Sequence, residues 1–153
     1  MESLRIFPDT DTMAQEIASQ LELCAGKAKK RGHIFSVVLS GGNTCASLYR
    51  AIAEQSIVNK IPWEVIHVFW SDERCVSPEN KKSNYGICRE VLLDHVLIPK
   101  KNIHRIRGEE DPSAESARYA KEVQDHILLR KGQATLFDWT FLGVGSDGHT
   151  ASI

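Results

Sequence analysis

Short apolar runs alternate along this chain with stretches in which apolar residues recur every three or four positions. Leu4 to Phe7 predicts a first strand. Ala14, Ile17, Ala18, Leu21, Ala25 and Ala28 then repeat at helical spacing as far as Lys29-Lys30-Arg31-Gly32, where basic residues and a glycine predict the helix end. Ile34 to Leu39 is almost continuously apolar, as in a strand buried on both faces. After Ser40-Gly41-Gly42-Asn43-Thr44 comes a helix with Leu48, Ala51 and Ile52 on one face. Val65 to Trp70 predicts a third strand, Ser83 to Val96 a helix closed by Pro99, and Asn102 to Ile106 a weaker strand. Asp111 and Pro112 read as the cap and first-turn proline of a helix running to about Arg130, and Phe137 to Leu142 as a fifth strand. No repeat, low-complexity tract or linker interrupts this order. It predicts the α/β class, an open, doubly wound, Rossmann-like parallel sheet with helices on both faces, in a single domain over residues 1–153.

Composition narrows the function classes without choosing one. The 153 residues are 42% hydrophobic and 25% charged, which suits one globular domain with its own core. Nineteen basic against twenty acidic residues leave a net charge of −1, so there is no electrostatic case for nucleic acid or an anionic membrane, and any phosphate must be held locally. The start, Met1-Glu2-Ser3-Leu4-Arg5, lacks the basic segment and apolar core of a signal peptide, and no apolar run approaches a membrane span. A cytoplasmic protein is the expectation. Cys24, Cys45, Cys75 and Cys88 have no CxxC spacing and are expected as free thiols. His33, His67, His95, His104 and His126 likewise lack ligand spacing and are expected at the surface or in satisfied core positions.

Three turns that follow predicted strands carry the candidate chemistry. Ser40 to Thr44 offers flexible glycines, hydroxyls and a helix N-terminus, the requirements for cradling a phosphate. The same residues also suit a plain tight turn in which Asn43 or Thr44 caps the helix. It is not a Walker A loop, because no Lys follows the second glycine at the required place. Ser71-Asp72-Glu73-Arg74 puts three consecutive charges at a strand end, either a solvated loop with an internal Asp to Arg pair or an Arg that clamps a phosphate or carboxylate. The third turn, Gly143-Val144-Gly145-Ser146-Asp147-Gly148-His149, matches GxGxxG. A dinucleotide fingerprint belongs to the first strand-helix unit and needs an acidic residue about 20 positions on, so that reading fails here. His149 on this turn suits a general base toward water, with neighbouring N–H groups to steady an oxyanion; an ordinary Asp-Gly turn with an exposed or capping histidine fits the same residues.

Taken in order, Ser40-Gly41-Gly42-Asn43-Thr44, then Asp72-Glu73-Arg74 with Ser83-Asn84-Tyr85, then Gly143 to Ser152 resemble the successive signatures of the 6-phosphogluconolactonase family. The resemblance spans essentially the whole chain. It implies a cytosolic, metal-independent hydrolase without a cofactor that opens 6-phospho-D-glucono-1,5-lactone to 6-phosphogluconate in the oxidative pentose phosphate pathway. Carried over residue by residue, it implies His149 as the base that activates water and Asp147 as organiser of that turn. It further implies Ser40, Gly41, Gly42, Asn43, Thr44, Asp72, Arg74, Asn84, Gly145 and Gly148 as substrate-binding residues, with Arg74 supplying positive charge.

Two departures from the family pattern stand out. Cys45 stands where the family usually has proline, a helix-start position that an ordinary residue can fill. Family members also continue after His-Thr-Ala-Ser with Phe-Pro and further strands and helices, including another basic residue near the substrate. The strand from Phe137 to Leu142 is followed here by eleven residues, too few for helical cover, so the sheet is expected to be incomplete on its C-terminal side. The expectation is a fragment of a longer product, or self-association through the unfinished sheet. Two rival readings are an amino-sugar phosphate deaminase or isomerase of the same fold, which carries Asp-Glu-Tyr where Asp72-Glu73-Arg74 stand, and a sugar-phosphate-binding fragment without catalysis.

Overall fold

The computed structural model describes residues 4–56, 60–128, 136–145, 147, 148 and 150. Helix α1 (Thr10–Lys30) starts where the Asp9 carboxylate accepts from Thr12 N, 2.7 Å, and ends with Lys27, Lys29 and Lys30 in its last turn. Strand β1 (Phe35–Leu39) is buried along its whole length, as its unbroken apolar run predicts. Helix α2 (Asn43–Gln55), strand β2 (Ile66–Trp70), helix α3 (Asn84–Val91), strand β3 (Ile103–His104), helix α4 (Pro112–Leu128) and strand β4 (Trp139–Thr140) follow. Asp111 caps α4 as its sequence predicts, accepting from Ser113 N and Ala114 N at 3.1 and 2.9 Å, with Pro112 the first helical residue.

All the strand pairs are parallel, in the order β3-β2-β1-β4, the beginning of the 3-2-1-4 arrangement of a Rossmann-like sheet. On one face Phe35, Val37 and Leu39 join Ile66, Val68 and Trp70 in a core with Ala14, Ala18 and Leu21 of α1, Leu48 and Ile52 of α2, and Cys88 and Val91 of α3. The other face carries Ser36, His67 and Phe69 and is met by α4, whose Tyr119 hydroxyl accepts from Trp70 N and donates to Trp70 O, both at 2.9 Å. The sheet is therefore covered on both sides, the doubly wound arrangement.

Several elements differ from the sequence pattern. Leu4 to Phe7 is not a strand: Leu4 and Ile6 are 88% and 86% exposed, and Arg5 instead pairs with Glu16 of α1 at 2.5 Å. Among the described residues this segment pairs with no strand of the sheet. Four strands are described rather than five. The predicted helix Ser83–Val96 stops at Val91 and continues as a 3-10 turn, Leu93–His95. Leu92, at φ −133° and ψ −61°, leaves the helical conformation and ends the regular ladder, while Val91, Leu92 and Leu93 all stay buried. β3 is limited by fully buried Asn102, whose Nδ2 donates to Glu64 O and Ile66 O at 3.0 Å in place of a main-chain ladder. β4 is shortened similarly, because Ser36 N donates to the Asp138 carboxylate, 2.8 Å, instead of to a main-chain carbonyl. β4 is the outer strand on its side, and among the described residues nothing pairs with its far edge.

Candidate functional site

The three turns singled out by sequence leave the carboxyl ends of β1, β2 and β4, on either side of the point where the chain reverses its direction across the sheet. In open parallel sheets this is where ligand crevices form. A cavity of about 320 Å³ opens there, lined by Ser40 to Cys45, Ser71, Asp72, Arg74, Gly143, Val144 and Gly145. That volume lies at the lower end of small-molecule sites.

Hydrogen bonds tie the three loops to one another at their roots. Ser71 N donates to Leu39 O at 2.9 Å, Ser40 Oγ donates to Phe141 O at 2.7 Å, and the hydroxyls of Ser40 and Ser71 lie 2.9 Å apart. Tyr49, one face of α2 below the turn, accepts from Ser40 N and donates to Ser40 O at 3.0 and 3.1 Å. Burial pushes the Tyr49 hydroxyl well above its ordinary pKa, with Cys45 nearby adding to the effect, so it stays a neutral donor and acceptor. Burial likewise raises the Cys45 thiol, only partly offset by Tyr49, which leaves it protonated and a poor nucleophile.

The start of α2 settles one open question of the first turn. The cap residue is Gly42, at φ +100°, a conformation that favours glycine, and it has no side chain to satisfy the helix end. Asn43 and Thr44 are the first helical residues, not the cap. The first intrahelical bond runs from Ala46 N to Gly42 O at 3.0 Å, so the N–H groups of residues 43 to 45 precede the ladder at the cavity.

The second loop is braced from behind. Glu73 turns away from the cavity and accepts from Arg74 N, Asn84 N and Tyr85 N at 2.8, 2.7 and 2.8 Å and from Ser83 Oγ at 3.1 Å, closing the loop onto the start of α3. Asp72 and Arg74 are thereby left toward the opening, with Arg74 Nε 3.9 Å from Asp72 Oδ2 and its side chain 64% exposed. Asn84 does not line the cavity; it is buried behind Gly41 and donates from Nδ2 to Asp72 O at 3.1 Å. A Cβ at position 41 would stand 2.0 Å from Asn84 Oδ1, so any side chain there must eject Asn84. Gly41→Ala is expected to destabilise by about 1–3 kcal/mol, read as a Tm lowered by about 3–10 °C. The penalty should shrink in the Gly41→Ala, Asn84→Ala double variant, because the obstacle is gone; strict additivity would refute the steric explanation.

In the third turn Gly145 lines the cavity, whereas Asp147 and Gly148 are exposed beyond it. The segment is pinned by Gly148 N donating to Gly145 O at 3.0 Å, by Thr150 Oγ1 donating to Gly143 O at 2.9 Å, and by a bridge between Val144 and Thr150. Gly148 sits at φ +89°, which only glycine adopts readily. His149 lies outside the described residues. The sequence pattern assigns no role to Tyr49, marks Glu73 only as one of three consecutive charges within a family signature, and does not single out Ser71 or Cys45 as lining the cavity. Ser71 is findable as the residue directly after an apolar strand; Tyr49 and Glu73 bond across a turn, to Ser40 and to the start of α3, and side-chain period does not show those pairings.

This geometry defines an open, doubly wound α/β protein with a small-molecule cavity at the switch point of its sheet, facing the uncapped start of a helix. The chain belongs to the family described as glucosamine-6-phosphate isomerases/6-phosphogluconolactonase, whose family model matches residues 8–153. It is 37% identical over 147 residues to a 6-phosphogluconolactonase of Aggregatibacter actinomycetemcomitans, a match covering 96% of this chain and 60% of that protein. A 6-phosphogluconolactonase of Nostoc sp. is 39% identical over 155 residues, with 99% and 62% covered. Among solved structures, the devB protein superposes with a TM-score of 0.82 at 39% identity, covering 97% of this chain and 60% of that one. A monomeric glucosamine-6-phosphate deaminase, at 21% identity and a TM-score of 0.71, shares the fold. The chain thus spans about 60% of the length of the curated relatives cited.

Proposed function

We propose that this chain carries the phosphosugar site of a 6-phosphogluconolactonase, which opens 6-phospho-D-glucono-1,5-lactone to 6-phosphogluconate. One observation carries the reading: three loops far apart in sequence converge on a single cavity that presents an uncapped helix start and one arginine. The N–H groups at the start of α2 and the Arg74 guanidinium receive the phosphate, since both favour an anion and neither needs a metal. Ser40 and Asp72 offer hydrogen-bond partners to the sugar hydroxyls. His149 takes a proton from water as the oxygen attacks the lactone carbonyl; as the ring C–O bond breaks, the imidazolium returns that proton to the departing ring oxygen, which leaves as a hydroxyl, and the new carboxylic acid releases its remaining proton to solvent to become the carboxylate. Asp147 orders the turn that bears His149, and the backbone N–H of Gly145, which lines the cavity, is the donor offered to the developing oxyanion. The relatives' shared name supports the substrate class, and Arg74 in place of a tyrosine favours lactone over amino sugar.

Hydrolysis of freshly prepared lactone, measured against the spontaneous rate, tests the reaction. Ammonia release from glucosamine 6-phosphate without lactone turnover would move the chain to the isomerase branch. Binding of 6-phosphogluconate with neither turnover would leave a binding module. Arg74→Ala is expected to raise KM for the lactone and Kd for 6-phosphogluconate by about 5–30-fold with kcat nearly unchanged, because an exposed charge-assisted contact contributes about 1–2 kcal/mol. An unaltered KM would remove Arg74 from the phosphate site.

A further inference from the structure

On the second face of the sheet, away from the cavity, β2, β3 and α4 each contribute one histidine to a single cluster. His67, His104 and His126 each present a ring nitrogen within 4.8 Å of the others. Nδ1 of His67 and Nε2 of His104 are 2.9 Å apart. Phe69 stacks on His104 at 4.4 Å between ring centroids and meets His126 edge-on at 4.7 Å, which closes the apolar side of the group.

We propose that His67, His104 and His126 form a binding site for a divalent transition-metal ion of the zinc and nickel class, stapling α4 to β2 and β3. Four features of the cluster favour this over three packed imidazoles. Imidazole is the ligand type that suits these ions, and three histidines with an outer position for water make a common tetrahedral set. At metal–nitrogen bonds of about 2.0–2.1 Å, tetrahedral ligand atoms stand about 3.3 Å apart, so the 2.9 Å pair needs only a small separation and the third ring a modest approach. Glu122 accepts from Nδ1 of His104 at 2.7 Å, which fixes that tautomer and turns the lone pair of Nε2 toward the other rings, the carboxylate–histidine support that metal sites use. Entry is open, because His104, Glu122 and His126 line a surface cavity on this face.

One nearby cation, Lys101, which lines a cavity together with His67, opposes the ion, whereas the two on α4 are neutralised. Arg118 is paired with both Glu115 and Glu122, and Lys121 with Asp125 at 2.7 Å. Sequence spacing hides the site: the ligands are separated by 37 and 22 positions (67 to 104, and 104 to 126) and meet only because β2 and β3 are neighbours and α4 crosses beneath them.

Titration of the unmodified, metal-stripped chain with Co²⁺, followed by Zn²⁺ competition, tests the proposal. The expected result is saturation at one equivalent, with the visible bands of a four- or five-coordinate nitrogen and oxygen site and no thiolate-to-cobalt charge transfer. Zn²⁺ in excess should raise Tm by about 5–10 °C. His104→Gln and His126→Gln should abolish the bands, and Glu122→Gln should weaken binding about 10–100-fold. His149→Ala and the His33→Gln, His95→Gln double variant should retain them. Should the ligand variants fail to fold, NMR of the unmodified chain decides, since Zn²⁺ must shift three imidazoles together. Absence of saturable binding, bands carrying thiolate character, or binding lost with His33 and His95 or with His149 would each overturn the proposal.

Discussion

His149→Ala is expected to lower lactonase turnover by about 10²–10⁴-fold, the contribution of a positioned general base, while Kd for 6-phosphogluconate stays within about threefold. The two readouts separate chemistry from binding, because the proposed phosphate contacts come from α2 and Arg74 rather than from this turn. The pH profile of kcat/KM adds a readout that a structural role would not move: the limb at acid pH, where an imidazole loses its basic form, should vanish in the variant. Turnover in His149→Ala equal to that of the unmodified chain would falsify the assignment. A loss of both turnover and binding would make the turn a positioning element instead.

The second large effect concerns stability. Glu73→Ala is expected to destabilise the fold by about 2–4 kcal/mol, lowering Tm by about 5–15 °C. Its carboxylate is the common acceptor for two N–H groups at the start of α3, one N–H of its own loop and the Ser83 hydroxyl. Removing it strips a charged acceptor from a helix N-terminus, where negative charge is most favourable, and leaves partly buried donors without that partner. Glu73→Gln should fall between, since one amide oxygen remains while the amide nitrogen meets donors head-on. Because Glu73 holds the loop that carries Asp72 and Arg74, KM for the lactone should rise in parallel with the loss of Tm. A Glu73→Ala chain melting within about 1 °C of the unmodified one would show that the loop is held by something else.

How much of this was legible in advance follows from how local each feature is. The helix from Asp111 and Pro112 could be read directly, because a cap and a first-turn proline act within one turn. The same holds for β1, whose continuous apolar run can only be a strand covered on both sides. Leu4 to Phe7 has a comparable apolar pattern and failed: it joins none of the described strands and leaves Leu4 and Ile6 exposed, an outcome that depends on tertiary pairing and not on the local run. The chain from Ser83 to Val96 keeps its helical period on paper, yet the regular helix ends at Val91, Leu92 leaves the helical conformation and a 3-10 turn, Leu93–His95, follows, a change that side-chain period does not signal. At the site, glycines and charges after strands marked all three loops, whereas Tyr49 and Glu73, which hold two of those loops in place, do so through bonds across a turn that depend on how the loop folds back on its helix.

By itself the amino-acid order determined the α/β class, the places where strands hand over to helices, and the residue types offered at those handovers. These are consequences of side-chain period and turn chemistry, which act over a few residues. Only the tertiary structure decided that β1 lies between β2 and β4, that the three turns therefore share one cavity, that the start of α2 carries no side-chain cap, and that three histidines with no spacing pattern meet on the opposite face. Those outcomes depend on strand order and on which faces are buried together, and such pairings are set by packing the whole chain rather than by any segment of it.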